Sequence, residues 1–160
     1  MKKSLVILAV LVLGLVFSQN VFAQTADQTV TFAVNAVAKL AVSGDPGALT
    51  ITDGTAGATA LTSVSNAGTT YSLTHNSNSA LKITAELDAD MPASTTLNLA
   101  LASGNGTPGN SNLTTTAADI VTNIARGADA TQTITYTFGA DASAGVIAST
   151  TRTVTLTLTN

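Results

Sequence analysis

One long run of alternating residues constrains the fold of this chain more than any other feature. Residues 28–43 read QTVTFAVNAVAKLAVS, and every even position from Val30 to Val42 is apolar. Alternation with a period of two predicts a β-strand with one buried face. The alternating part would extend over roughly 40 Å, whereas an ordinary strand spans about 17–20 Å. We therefore expect either a bend near Asn35 that lets the run serve two sheets, or a first half that leaves the domain and pairs elsewhere.

The start of the chain has the pattern of an export signal. Two lysines precede an uncharged apolar run at residues 5–17, and small residues follow at Val21 and Ala23, the positions that a signal peptidase requires. The apolar run is shorter than the roughly 20 residues that span a bilayer. The sequence therefore predicts a cleaved signal peptide at residues 1–23 and one exported domain at residues 24–160, extracellular or on the cell surface, without a membrane anchor.

Composition limits the partners of that domain. The chain has no cysteine, so packing and backbone pairing alone must hold the exported fold. Residues 24–160 carry four basic and nine acidic side chains, a net charge of −5. Nucleic acids and anionic lipids attract clustered lysine and arginine, so neither is an expected partner. Threonine, which is β-branched and favours strands, is abundant. Low charge combined with high β-propensity favours lateral association of chains.

The remaining sequence reads as short strands between turns. A Gly44–Gly47 turn precedes a predicted short strand at residues 49–52, and residues 69–87 are predicted to form a hairpin. Residues 103–112 read as a loop, and the segment 113–125 fits either a strand or a helical turn. Alternation predicts further strands at residues 95–102, 132–138 and 152–159. Seven to nine strands predict an all-β fold, an antiparallel β-sandwich of immunoglobulin-like or jelly-roll type.

No motif in the chain predicts catalysis or a cofactor, and we expect neither. Glu86, Asp88 and Asp90 share one face of an extended chain and form a weak candidate site for Ca²⁺, which prefers clustered oxygen ligands. The alternative is a charged strand end that discourages edge pairing. His75 is interpreted as a solvated turn residue. The two tyrosines are predicted to face inward, which disfavours stacking on sugars: Tyr71 and Tyr136.

The predicted exported chain lacks cysteine and combines the long alternating run after the cleavage site with a threonine-rich last strand, TRTVTLTLT. This combination resembles small subunits of bacterial and archaeal surface fibres. Camelysin-like biofilm fibre proteins and donor-strand pilins are the classes it resembles. That resemblance implies that the extension at residues 24–35 completes the sheet of a second copy, with Thr25 to Asn35 as the donor strand. The chain departs from chaperone–usher pilins, which commonly carry a disulfide.

Two functional hypotheses remain at this point. In the first, the chain is a non-enzymatic structural protein whose head-to-tail homopolymer forms an extracellular filament or surface assembly. Its partner is then a second copy, contacted through alternating apolar side chains that insert into pockets: Val30, Phe32 and Val34. In the second, the chain is a monomeric secreted adhesion or ligand-binding module, and the N-terminal run folds back into its own sandwich.

Overall fold

The computed structural model describes residues 23–160, and the predicted signal peptide lies almost wholly outside the described residues. The chain divides into two units, Met1–Val34 and Asn35–Asn160. In the first unit, residues 23–34 have no regular secondary structure and are exposed.

The second unit is all-β. Its strands are β1 (Ala38–Val42), β2 (Val64–His75), β3 (Leu81–Leu87), β4 (Thr95–Leu101), β5 (Thr107–Pro108), β6 (Asn110–Asn112), β7 (Ala118–Ile124), β8 (Gly127–Ala140) and β9 (Val154–Thr159). One 3₁₀ turn, Ala142–Ala144, follows β8. The all-β fold class predicted from the sequence is therefore confirmed.

The strands form two antiparallel sheets. The five-stranded sheet has the order β1-β2-β8-β4-β6, and the four-stranded sheet has the order β5-β7-β3-β9. Alternate residues of both sheets form one hydrophobic core, as the period-two pattern requires. The fully buried side chains include Leu99 of β4, Ile134 of β8, Ile83 of β3 and Val121 of β7. Two antiparallel sheets that share a core are consistent with a β-sandwich.

The predicted hairpin at residues 69–87 is wrong, although both of its strands exist. β2 pairs with β1 and β8, whereas β3 pairs with β7 and β9. Both strands bury alternate side chains, so they serve opposite walls of the core. The five residues 76–80 reach about 17 Å when extended, enough to cross the roughly 10 Å between packed sheets.

The first strand is much shorter than its alternation suggested. β1 pairs with β2 from Ala38 opposite His75 to Val42 opposite Tyr71. One more rung follows, because the Asn76 N–H donates to the Val37 carbonyl oxygen at 3.0 Å. Beyond Asn76 the neighbouring chain leaves for the other sheet. Residues before Asn35 therefore have no β2 backbone beside them, and alternation without a partner does not make a strand.

Three further predictions need correction. Residues 49–52 form no strand in the described chain, and the predicted loop at 103–112 contains the short strands β5 and β6. For the segment 113–125 the strand alternative is confirmed, because it contains β7. His75 is not a solvated turn residue: it ends β2, is 2% exposed, and its Nε2 lies 2.9 Å from the Ala125 carbonyl oxygen.

Candidate functional site: a groove between two edge strands

One side of the two-sheet unit is open. β1 is an edge of the five-stranded sheet and β9 is an edge of the four-stranded sheet, and both strands line the same groove. The groove has a volume of about 1350 Å³. Within the described chain, β9 has β3 as its one strand neighbour, so the other side of its backbone is available for a further strand.

The bottom of the groove is formed by side chains that belong to the hydrophobic core or pack against it. Residues from both sheets contribute, and several of them are only half-buried although they pack against the core. From the five-stranded sheet come Leu40, Leu97, Ile134, Tyr136 and Phe138, and from β9 come Val154, Leu156 and Leu158. Alternation along β9 directs these three side chains inward and its threonines outward. The groove therefore offers apolar surface beside a free strand edge.

Two irregular segments form the rim, residues 44–51 and 145–153. The second segment is held by Arg152, whose Nε and Nη2 donate to the Asp90 carbonyl oxygen at 2.9 and 2.8 Å. Val146 and Ile147 are exposed on this rim. The rim thus adds exposed apolar surface to the groove.

Charge is sparse at the site. Among the described residues that line the groove, the charged ones are Asp45 and Arg152. Burial raises the pKa of Tyr136 above its ordinary value, and the Asp45 carboxylate raises it further. Such a surface suits an uncharged apolar ligand or segment better than an ionic one.

The predicted contact residues lie on the first unit and are exposed. Val30 is 71%, Phe32 88% and Val34 86% exposed, and no strand includes them. Single exposed apolar residues are ordinary, but three in a row at strand spacing form a continuous apolar face when the chain is extended. The sequence reasoning identified this segment but none of the groove residues. The signal for the groove lay in β9, which alternates apolar residues with threonine and contains neither charge nor proline.

The chain enters the second unit in line with β1. The Asn76 side-chain amide donates to the Asn35 carbonyl oxygen at 2.8 Å, and its Oδ1 accepts the Val37 N–H at 2.7 Å. Together with the Asn76 backbone bond to Val37, these contacts continue the β1–β2 register by one rung. Residues 35–37 are thereby held as an extension of β1.

The acidic residues considered for Ca²⁺ have other partners. Glu86 lies in β3 opposite Thr155, and Asp88 Oδ1 accepts the Thr153 N–H at 3.0 Å. Asp90 Oδ1 accepts the Thr115 hydroxyl at 3.2 Å. Among residues 23–160 no three acidic, histidine or cysteine side chains are grouped as metal ligands would be.

Both tyrosines face inward as predicted. Tyr71 is 1% exposed and Tyr136 8% exposed, and the Tyr71 hydroxyl donates to the Ala102 carbonyl oxygen at 2.6 Å. Neither ring forms an exposed platform for a sugar.

No helix among the described residues is long and apolar enough to cross a bilayer.

Comparisons with known proteins assign no family to this chain. Neither the known protein families nor the curated proteins contain a match to this chain.

Proposed function

We propose that this protein is an exported, non-enzymatic structural protein whose copies assemble through their N-terminal segments into an extracellular filament or surface assembly. Its domain is an immunoglobulin-like or jelly-roll sandwich that follows a cleaved signal peptide. One observation carries the proposal: the same chain has both an exposed apolar segment at strand spacing and an open apolar groove beside a free strand edge.

The energetics favour pairing of these two features. Adding a strand to an edge supplies a ladder of backbone hydrogen bonds and places alternate side chains in pockets. Each of the side chains Val30, Phe32 and Val34 gains about 1.5–3 kcal/mol when it is fully buried. The half-buried apolar residues of β9 would gain further burial. A head-to-tail contact between copies propagates into a filament when its rotation does not close a ring, and that is the arrangement proposed here.

The test uses the chain from Gln24 and a variant that keeps its full length. We expect the unmodified protein to form long polymers by negative-stain electron microscopy. Replacing all three apolar residues with serine (Val30→Ser, Phe32→Ser, Val34→Ser) should leave folded monomers by size-exclusion chromatography and circular dichroism.

The matched control changes the opposite face of the same segment. Thr29→Ser, Thr31→Ser and Ala33→Ser together keep the apolar face intact, so polymers should persist. A monodisperse monomer of the unmodified protein at high concentration would overturn the proposal and favour the monomeric adhesion or ligand-binding module.

A further inference from the structure

We propose that the groove accepts residues 28–34 of a second copy, and that this segment runs antiparallel to β9 with Val34 opposite Val154, Phe32 opposite Leu156 and Val30 opposite Leu158. This inference rests on the proposed function and specifies its contact. It assigns the acceptor edge, the polarity and the register of the exchanged strand.

The two surfaces match in length and chemistry. Seven residues of extended chain span about 23 Å and the six residues of β9 span about 20 Å. Residues 28–34 carry no charge, and neither does β9. In the stated register the apolar side chains of both strands point to the core side, while threonines of both strands point outward. A shift by one residue would instead turn Phe32 to solvent.

We assign the acceptor edge to β9, not β1, because partly buried apolar residues alternate with threonine along β9. β1 is also an edge strand, but of its residues only Leu40 is partly buried, and Val42 is exposed. On β9 each even residue from Val154 to Leu158 packs against the core and is incompletely covered. An added strand beside β9 would therefore cover the flank of the core that the groove leaves open.

The polarity follows from how the chain enters its own domain. Residues 35–37 continue the line of β1, so the chain arrives at the end of the domain where His75 lies and runs towards Val42. β3 begins near that same end, after the five connecting residues 76–80, and β9 is antiparallel to β3. β9 therefore runs opposite to β1.

A head-to-tail repeat along β1 keeps every copy in the same orientation. A segment that continues the line of β1 into the neighbouring copy must then run antiparallel to the neighbour's β9. Every strand pair in the two sheets is already antiparallel, and such ladders are slightly more stable than parallel ones.

A donor strand parallel to β9 would have one favourable contact, because it would bring the Asp27 carboxylate near the Arg152 guanidinium. The Arg152 guanidinium is already bonded to the Asp90 carbonyl oxygen. An exposed ion pair adds little in any case. We therefore keep the antiparallel arrangement, which follows from the directions of β1 and β9, and give the Asp27–Arg152 ion pair less weight.

Disulfide trapping tests the proposal, because the chain has no cysteine of its own. Two donor variants, Thr31→Cys and Ala33→Cys, are each mixed with two acceptor variants, Thr155→Cys and Thr157→Cys. The chains are mixed unfolded, assembled together and oxidised, and the linked peptides are quantified by mass spectrometry. In the proposed register all four positions lie on the outward face, and Thr155 and Thr157 are exposed in β9, so the apolar side chains of the groove are left unchanged.

The four combinations separate the arrangements. The proposed register predicts links 33–155 and 31–157, at least tenfold above the other two. Links 31–155 and 33–157 together would show a parallel strand, and one of these links alone would show a slipped antiparallel register. Either result overturns the inference but leaves strand exchange standing.

A double variant identifies the occupant. In Ala33→Cys/Thr155→Cys, a link between chains supports a second copy, whereas a link within one chain would show that the segment folds back and would overturn this inference and the proposed function together. Polymers that form without any of the four links would place the acceptor elsewhere and overturn the inference alone.

Discussion

The two sides of the two-sheet unit end in different ways. On one side a single segment, residues 107–112, supplies both edge strands, β5 and β6, which have two and three residues. Pro108 and Gly109 lie within it. On the other side the edges are β1 and β9, which come from distant parts of the chain and have five and six residues. Short edges with proline resist pairing, whereas a longer uncharged edge is a template for another strand.

The core is also covered to different extents on the two sides. Next to the short edges, Leu99, Leu101 and Val121 are fully covered. Next to β9, the apolar residues are only half-buried and the groove reaches the core. We call these regions the closed side and the open side. We compare the stability of the two sides in the triple-serine variant (residues 30, 32 and 34), which we expect to be monomeric, so that assembly does not obscure the measurement.

The largest expected difference concerns leucines on the two sides. Leu99→Ala on the closed side should lower the free energy of unfolding by about 2–5 kcal/mol, because it leaves a cavity in a fully buried site. Leu156→Ala on the open side should cost about 1 kcal/mol, since this side chain is already partly solvated. Urea denaturation measures both values. Equal losses would show that the open side is packed as tightly as the core.

The next prediction tests how the closed side is held. A Cβ atom on Gly109 would lie 2.8 Å from the Ile120 carbonyl oxygen, a backbone atom that cannot move aside cheaply. Gly109→Ala should therefore cost about 1–3 kcal/mol and loosen β5 and β6. Ser111→Ala, in the neighbouring strand, is the control and should change stability by less than about 0.5 kcal/mol. Hydrogen exchange of residues 107–112 would report the loosening, and an unchanged exchange rate would contradict it.

A buried carboxylate anchors the loop that leads into the closed side. Asp129 Oδ2 accepts hydrogen bonds from the Ser103 hydroxyl at 2.7 Å and from the N–H groups of Gly104 and Asn105 at 3.1 and 3.2 Å. Asp129→Ala leaves these donors without their acceptor and should cost about 1–3 kcal/mol. Asp119→Asn, which weakens the exposed pair with Lys82, should cost less than about 1 kcal/mol. Thermal unfolding compares the two, and a similar effect would show that the anchor contributes little.

The sequence predicted the open side better than the closed side. Alternation identified β9 and the apolar face of residues 30–34, because the period of two is local information. A two-sheet sandwich was predicted, but which strands belong to which sheet was not, because pairing partners are not encoded in alternation. β2 and β3 show this: both strands were predicted, but they were expected to pair as a hairpin and instead lie in different sheets. On the closed side, the residues of β5 and β6 show no alternation of apolar and polar types. These strands form because β5 pairs with β7 and β6 pairs with β4.

The groove illustrates the same limit. Its lining comes from β1, β8, β9 and two irregular segments that are far apart in sequence. Residues 49–52 look like a strand locally, yet in the structure they form part of the rim. Only the folded chain shows that β1 and β9 line the same groove. The proposed donor segment, in contrast, could be selected from the sequence, because the excess length of the alternating run is visible in one continuous stretch.

The smallest expected effect is a loss of stability at alkaline pH that differs between the two tyrosines. Burial raises the pKa of both Tyr71 and Tyr136 above the ordinary value of 10.0. The unfolded chain therefore loses the phenol protons first. Their contribution to stability is complete below about pH 10 and decreases as the pH rises towards the folded pKa.

Phenylalanine variants separate the two tyrosines in this test. The difference in unfolding free energy between the triple-serine variant and the same variant with Tyr71→Phe should shrink between pH 9 and pH 11, by up to about 1 kcal/mol. The hydrogen bond from the Tyr71 hydroxyl to the Ala102 carbonyl oxygen also contributes about 1 kcal/mol at neutral pH, so Tyr71→Phe should lower stability there. Tyr136 lines the groove. Tyr136→Phe should change the unfolding free energy little at neutral pH but should remove the loss of stability that ionisation of Tyr136 causes above pH 9. Urea titrations at each pH measure these differences, and a difference that stays constant up to pH 11 would show that neither phenol is protected from ionisation.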